Sequence, residues 1–231
     1  ALNSNHEIMG RFFNSDGLQT VAEFQVITVG TYPDNYPNAV QLTNGNIVVS
    51  WYSNGQDGDA GGAYARIFTS GGTEVVADFR LSTSTVSEQG VPVMTALDGG
   101  GFVSFWHDYS SGAQYDITGQ MFDSVGGKVG VEFTVNTFTT NAQTWPDVTS
   151  LEDGGFVVTW QSTDQDTSSD GIYAQRYDAA GDAIGVLTLT GTGGDDTEVM
   201  TEAETATHID LGAQTDSLTL ANGTNILTVS N

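Results

Sequence analysis

Ile47, Val49 and Trp51 alternate with Val48 and Ser50, and both sets are apolar or small. The same two-residue alternation returns as Phe102, Ser104 and Trp106, and again as Phe156, Val158 and Trp160. Alternation predicts strands, and apolar residues on both faces predict a sheet covered on both sides. The phrases "LTNGNIVVSW", "LDGGGFVSFW" and "LEDGGFVVTW" close at tryptophans 55 and 54 residues apart. Gly17, Gly72, Gly126 and Gly181 repeat at 55, 54 and 55. Periodicity on this scale marks a solenoid, propeller or array.

Each unit divides into four strand-like segments. Segment one starts at Pro37, Pro92 or Pro146, five residues before Leu42, Leu97 or Leu151; proline suits a first strand residue, where no ladder donor is missed. Turns follow at Asn44-Gly45, Asp98-Gly99 and Asp153-Gly154, each a short-hairpin signal. Segment two runs into the tryptophan, so strands are predicted over 37–42, 46–52, 92–97, 101–107, 146–151 and 155–161. Segment three ends at Phe13, Phe68, Phe122 and Tyr177; segment four carries Phe24, Phe79 and Phe133. Nothing sustains a 3.6-residue period, so almost no helix is expected.

The fold class predicted is all-β: tandem four-stranded blade-like repeats, β-propeller-like, about three and a half units, plus a small C-terminal β module. The boundaries read 1–36 for a partial unit, then 37–91, 92–145 and 146–189, with 190–231 as the small acidic module. There "SLTLANGTNILTV" reads as a hairpin around Asn222-Gly223. An incomplete blade leaves an unpaired strand edge. The expected partners are therefore a second copy or further repeats of the same polypeptide, joined by backbone pairing.

Charge narrows the partners. Five basic residues face 29 acidic ones, a net charge of −24, which repels nucleic acid and anionic membrane. No stretch reaches the ~18 consecutive apolar residues of a membrane span, so no membrane insertion is expected. Cysteine is absent, which removes disulfides and thiolate metal sites together. The opening "ALNSNHEIMG" has neither an initiator Met nor a signal-peptide core, and reads as a processed product or a piece of a longer polypeptide.

"DGGFVVTWQS" (153–162), "GIYAQRYDAAG" (171–181) and "VGVEFTVNT" (129–137) resemble tandem repeats of very large secreted or surface-attached bacterial proteins. Those proteins carry haemolysin-type calcium-binding (RTX-like) regions and leave by type I secretion. "GTGGDDT" (191–197) and "DLGAQTDSLTLANGTN" (210–225) resemble the segments joined to such repeats. The tandem nonapeptide GGxGxDxUx is absent; Gly193, Gly194 and Asp195 are a fragment of it. The resemblance implies an extracellular or cell-surface location.

Candidate chemistry sits in the loops after the tryptophans. Asp164, Asp166 and Asp170 lie within seven residues, Asp57 and Asp59 alternate with glycines, and the middle unit offers His107, Asp108 and Asp116. Calcium takes six to eight hard oxygen ligands, and clustered aspartates with loop carbonyls supply them. Asp195, Asp196, Asp210 and Asp216 are a second calcium set, set against simple turn capping. Trp51, Trp106 and Trp160 read as core contacts rather than a sugar-stacking platform, because a site is seldom built identically in every repeat; Trp145 breaks that pattern. Arg11 and Arg66, with Gln120 and Gln175 at the same place in later units, read as a recurring bond between neighbouring strands.

No motif for nucleophilic or metal-assisted catalysis appears among His6, His107 and His208. Paired carboxylates for glycoside cleavage stay open, since spacing in space is invisible in a sequence. The leading expectation is a non-enzymatic extracellular structural or adhesive module of a bacterial surface, matrix or filament protein. The alternatives are a calcium-dependent glycan- or protein-binding propeller and a carbohydrate-active hydrolase or lyase with its site at the propeller centre. An enzyme is expected to break the repeat symmetry with one unusual inward-facing polar cluster.

Overall fold

The computed structural model describes residues 7–27, 33–166 and 169–184 with their side chains, and further on the backbone of five short strands. The chain is all β. Strands β1 (Met9–Phe13) and β2 (Gln19–Gln25) form a two-stranded sheet. Three four-stranded antiparallel blades follow: β3 (Asp34–Gln41) to β6 (Glu74–Arg80), β7 (Gln89–Ala96) to β10 (Lys128–Thr134), and β11 (Gln143–Ser150) to β14 (Ala183–Ile184). Their middle strands are β4 (Ile47–Ser53) and β5 (Gly62–Phe68), β8 (Phe102–Asp108) and β9 (Asp116–Phe122), and β12 (Phe156–Thr163) and β13 (Asp170–Tyr177). Strand order within each blade is sequential.

The hairpin turns are three-residue loops whose glycine takes a positive φ, the conformation only glycine adopts without a Cβ penalty. In the first blade the Leu42 N–H donates to Asn46 O and the Gly45 N–H to Leu42 O. Leu97 and Gly100, and Leu151 and Gly154, repeat this pair. The middle turn thus hinges on Gly100 at φ +98°, one residue beyond the expected Asp98-Gly99. At the outer turns a single side chain replaces part of the ladder: Asp123 Oδ1 accepts from the N–H groups of Val125 (3.0 Å) and Gly127 (2.7 Å). Asp178 does the same for Ala180 and Asp182. Part of the acidity is therefore turn chemistry.

The prolines do not begin their strands. Pairing of the first strands starts at Asp34, Gln89 and Gln143, and a bulge interrupts it between Asn35 and Asn38, Gly90 and Val93, and Thr144 and Asp147. Pro37, Pro92 and Pro146 sit in these bulges, where a missing N–H costs no ladder bond. The units accordingly begin about three residues before the boundaries at 37, 92 and 146.

The tryptophans are core. Trp51, Trp106 and Trp160 are 1%, 0% and 6% exposed. Each fills the gap toward the preceding sheet: Trp51 with Ile8, Val26 and Ile27, Trp106 with Val48, Ala63 and Ile67, Trp160 with Val103, Phe105 and Ile117. Repetition of the phrase is repetition of this inter-blade contact. The recurring Arg/Gln position also acts as expected. Arg66 Nε donates to Asp78 Oδ1 (2.6 Å), Arg11 pairs with Glu23 (3.0 Å), and Gln120 Nε2 donates to Val129 O (2.9 Å).

The five further strands are β15 (Leu187–Thr190), β16 (Thr197–Met200), β17 (Thr207–Asp210), β18 (Asp216–Leu220) and β19 (Ile226–Val229). β15 runs parallel to β17, β16 parallel to β18, and β18 pairs antiparallel with β19. The hairpin expected over 217–229 is this last pair.

Candidate functional site at the inner end of the blades

The first strands β3, β7 and β11 lie side by side, and their N-terminal ends meet the ends of the second strands and the starts of the third. At that end the bulge residues Tyr36, Val91 and Trp145 all take positive φ, 53°, 52° and 54°. A non-glycine residue in that region is strained, and before proline its choices are already narrow. Strain of this kind persists only where the surroundings impose it. The bulge turns two large rings toward solvent: Tyr36 and Trp145 are 53% and 54% exposed. They meet edge to face at 6.4 Å although the whole second blade separates them in sequence.

The residue after each core tryptophan faces this space, and here the repeat is broken: Tyr52, His107 and Gln161 occupy equivalent places. Tyr52 packs edge to face on Tyr36 at 6.4 Å. His107 meets Trp145 at 6.4 Å and Tyr115 at 4.9 Å, and Tyr115 meets Tyr109 at 4.9 Å. Glycine makes this packing fit. A Cβ on Gly90, the cross-strand partner of His107, would collide with the imidazole Nε2, and one on Gly61 with the Tyr52 phenol. The equivalents of Gly90 are Asn35 and Thr144.

Glu88 stands among these rings, at a place held by Pro33 and Ala142 in the other blades. Its carboxylate accepts the Tyr115 hydroxyl (Oε2, 2.8 Å) and faces His107 Nε2 from Oε1 at 3.7 Å. Backbone bonds fix the group: Gln89 N–H donates to Gly61 O and Tyr109 N–H to Glu88 O, both 2.8 Å. Burial pushes the His107 pKa below its ordinary value, and Glu88 opposes that shift. Burial first, then Glu88, pushes the Tyr115 phenol up to about 12. Both groups are held neutral at pH 7 around a hydrogen-bonded carboxylate. Tyr52 is also raised, by burial and then by Glu88, Tyr36 and Asp57. His107 Nδ1 and Asp57 Oδ2 are buried with no hydrogen-bond partner, and such atoms are uncommon enough to mark a site.

Of the aspartates expected to hold calcium, Asp57, Asp59 and Asp170 accept hydrogen bonds from the protein. Asp57 Oδ1 accepts the Asp59 N–H (3.3 Å), and Asp59 Oδ2 accepts the Ser87 N–H (2.8 Å), steering the segment that carries Glu88. Asp170 Oδ1 accepts the Thr163 hydroxyl (2.8 Å), and Asp164 donates its N–H to Ser169 O. Asp166 lies near Tyr173, whose pKa it raises after burial. In the middle blade Asp108 takes the Trp106 indole N–H (3.4 Å) and Asp116 takes Asn136 (2.7 Å). Among the described residues no three His, Asp or Glu side chains are grouped to hold a metal ion. Asp195 and Asp196 lie outside the described residues, and the side chains of Asp210 and Asp216 likewise.

All five cations are accounted for, and all sit on third and fourth strands. Arg11, Arg66 and Arg176 pair with Glu23, with Asp78 and Glu74, and with Asp153; Arg80 donates to Ser82 O and Thr83 O, and Lys128 to Thr83 Oγ1. Glu88, Asp57 and Asp59 take their hydrogen bonds from the Tyr115 hydroxyl and from backbone N–H groups. A separate hollow of about 380 Å³ lies at the opposite, turn end near Gly100, Met121 and Gly154, remote from these groups.

No family model and no curated protein matches the chain. Among solved structures it is similar to a Dyadobacter fermentans protein of unknown function (10% identity, TM-score 0.48, covering 69% of this chain and 56% of that one). It is also similar to an endo-arabinase from Bacteroides thetaiotaomicron (15%, TM-score 0.46, 70% and 62%). A third is a native arabinanase from Bacillus subtilis (13%, TM-score 0.46, 99% and 81%). The chain spans 56% and 62% of the length of the first two. The expectation of a non-enzymatic structural or adhesive module is corrected here. Two of these three similar structures are named an endo-arabinase and an arabinanase. In this chain itself, the symmetry-breaking inward cluster that an enzyme was expected to need is present, at Glu88, His107 and Tyr115. Sequence reading missed it because it grouped His107 with Asp108 and Asp116, close along the chain, and not with Glu88 and Tyr115, which meet it in space.

Proposed function

We propose that this chain is a carbohydrate-active propeller that takes a neutral glycan at the inner end of its blades and hydrolyses a glycosidic bond there. The observation that carries this reading is Glu88, hydrogen-bonded by Tyr115, beside neutral His107 and walled by Tyr36, Tyr52 and Trp145. Aromatic faces take the apolar side of a sugar ring, and polar tips bind its hydroxyls. A uronate or sulfated sugar would meet the carboxylates of Glu88, Asp57 and Asp59, so the glycan is neutral.

Glycoside hydrolysis uses two carboxyl groups flanking the bond. Glu88, a carboxylate that accepts the Tyr115 hydroxyl, takes the proton of the attacking water or attacks the anomeric carbon itself, and Asp57, with one buried oxygen free of partners, is the proton donor to the leaving oxygen. The glycosidic C–O bond breaks, one water is consumed, and its proton and hydroxyl end on the two sugars. The test is reducing-end release from a panel of neutral pentosans and hexosans by the native protein and by Glu88→Gln. Release lost at least 100-fold in Glu88→Gln, with an unchanged melting temperature, supports the reading; no release from any polymer, or equal release by the variant, overturns it.

A further inference from the structure

The two-stranded sheet β1–β2 is the outer half of a blade. Phe13 and Gly17 align with Phe68 and Gly72, and the Asn14 turn repeats the Thr69 turn, with Gly17 and Gly72 at φ +75° and +79°. A Cβ on Gly10 would strike the ring of Phe24, and one on Gly119 the ring of Phe133. β1 is therefore a third strand. In each complete blade the third strand's inner edge is filled by the second strand along seven or eight residues. Among the described residues β1 pairs only with β2. Beside its open edge lies a groove of about 200 Å³, lined by Met9, Phe12, Phe24, Val26, Ala39 and Val49. Met9, on this groove, and Phe13, at the end of β1, are 48% and 57% exposed. An open edge flanked by apolar side chains calls for a strand.

The chain contains the missing half. Leu42-Thr43-Asn44-Gly45, Leu97-Asp98-Gly99-Gly100 and Leu151-Glu152-Asp153-Gly154 join first to second strands, and Leu220-Ala221-Asn222-Gly223 repeats the pattern between β18 and β19. The pairs match as well: Gln41 with Ile47, Val40 with Val48 and Asn38 with Ser50 correspond to Thr219 with Ile226, Leu218 with Leu227 and Asp216 with Val229. The loop is one residue longer, and Ser230 falls where the core tryptophan stands. β19 has its outer edge free among the described residues, since it pairs only with β18.

We propose that β18 and β19 are the first and second strands of the blade whose third and fourth strands are β1 and β2, so that the chain closes on itself as four blades. By the register of β4 on β5, β19 meets β1 with Ile226 opposite Phe13, Leu227 opposite Phe12 and Thr228 opposite Arg11. The existing β18–β19 and β16–β18 pairings are kept. Closure also offers cover for the far face of the third blade, where Ile172 is 76% exposed. This proposal is independent of the glycan site.

The chain has no cysteine, so an introduced pair reports one contact. Directly opposed residues on adjacent strands lie about 4.5–5.5 Å apart at Cα, within disulfide reach. The double variant Arg11→Cys with Thr228→Cys is oxidised in dilute solution beside Phe12→Cys with Thr228→Cys, which turns one side chain to the opposite face. The expected result is an intrachain bond in the first pair forming at least tenfold faster than in the second. Hydrogen exchange on the unmodified full chain is the second measurement, with the amides of 9–13 expected to be protected to within tenfold of those of 62–68. Equal rates in the two pairs, a bond only between chains (which gives the edge to a second copy), or free-edge exchange at 9–13 overturns the proposal.

Discussion

Tyr36 and Trp145 touch edge to face, ring centroids 6.4 Å apart, from blades that are not neighbours in the chain. Each is the residue before a bulge proline and each has positive φ, so one backbone device delivers both rings. The equivalent residue of the blade between them is Val91, also at positive φ, which brings no ring. Identical local chemistry therefore joins two aromatic rings into one exposed surface, with His107 packed on Trp145.

Tryptophans in the two roles respond oppositely to truncation. Trp106→Ala removes a side chain with no exposure from the contact between two blades and costs about 3–5 kcal/mol of stability. Trp145→Ala, more than half exposed, costs less than about 1 kcal/mol. Chemical denaturation of both variants measures this, and a Trp145 cost equal to that of Trp106 would place it in the core.

Gly90→Ala acts on the site through His107. The new methyl collides with Nε2, so the imidazole turns away from Glu88 while the strand pairing of β7 and β8 remains. Activity should fall at least tenfold with a melting temperature lowered by a few degrees at most. The companion Thr144→Gly, at the equivalent place facing Gln161, should leave activity unchanged. Loss of activity in Thr144→Gly to the same extent would show a general strand effect instead.

Stability depends on pH through neutral His107 on the acid side and, together with the Tyr52 and Tyr177 phenols that burial also raises, through Tyr115 on the alkaline side. The native His107 pKa is lowered by burial below 6.5. Its contribution is complete above pH 6.5 and is lost as pH falls through the native value. The native Tyr115 pKa is raised from 10.0 to about 12, so its contribution is complete below pH 10 and is lost as pH rises toward 12. Melting temperature against pH should fall on both flanks. His107→Gln should flatten the acid flank alone and Tyr115→Phe should lessen the alkaline flank alone; unaltered flanks in both variants would contradict these assignments.

The blades were legible in the sequence because one inter-blade contact repeats with its tryptophan, and the turns because glycine is required where φ is positive. The middle turn was read one residue early because Gly99, Gly100 and Gly101 offer the same dipeptide signal twice. Proline at a strand start and proline in a bulge look alike in sequence, so the strained residues before Pro37 and Pro146 went unseen. The site was harder to find because Tyr36, Glu88, His107 and Trp145 meet only when blades pack. A signal was present nonetheless. Pro33, Glu88 and Ala142 occupy one repeat position, and Tyr52, His107 and Gln161 another; a carboxylate and an imidazole both appear in the second unit alone. The calcium reading of the acidic loops rested on how many carboxylates each loop has; the geometry adds that Asp59, Asp123, Asp170 and Asp178 accept from backbone N–H groups or a hydroxyl.

The central claim is that a neutral glycan packs on the exposed faces of Tyr36 and Trp145 beside Glu88. Calorimetric titration of neutral oligosaccharides into the native chain, Glu88→Gln and the double variant Tyr36→Ala with Trp145→Ala tests it most directly. The account predicts saturable binding to the native chain, binding retained within about threefold in Glu88→Gln, and at least a tenfold weaker affinity in the double variant, about 1.4 kcal/mol or more. Equal affinity in the double variant, or tighter binding of uronate oligomers than of neutral ones by the native chain, would contradict it.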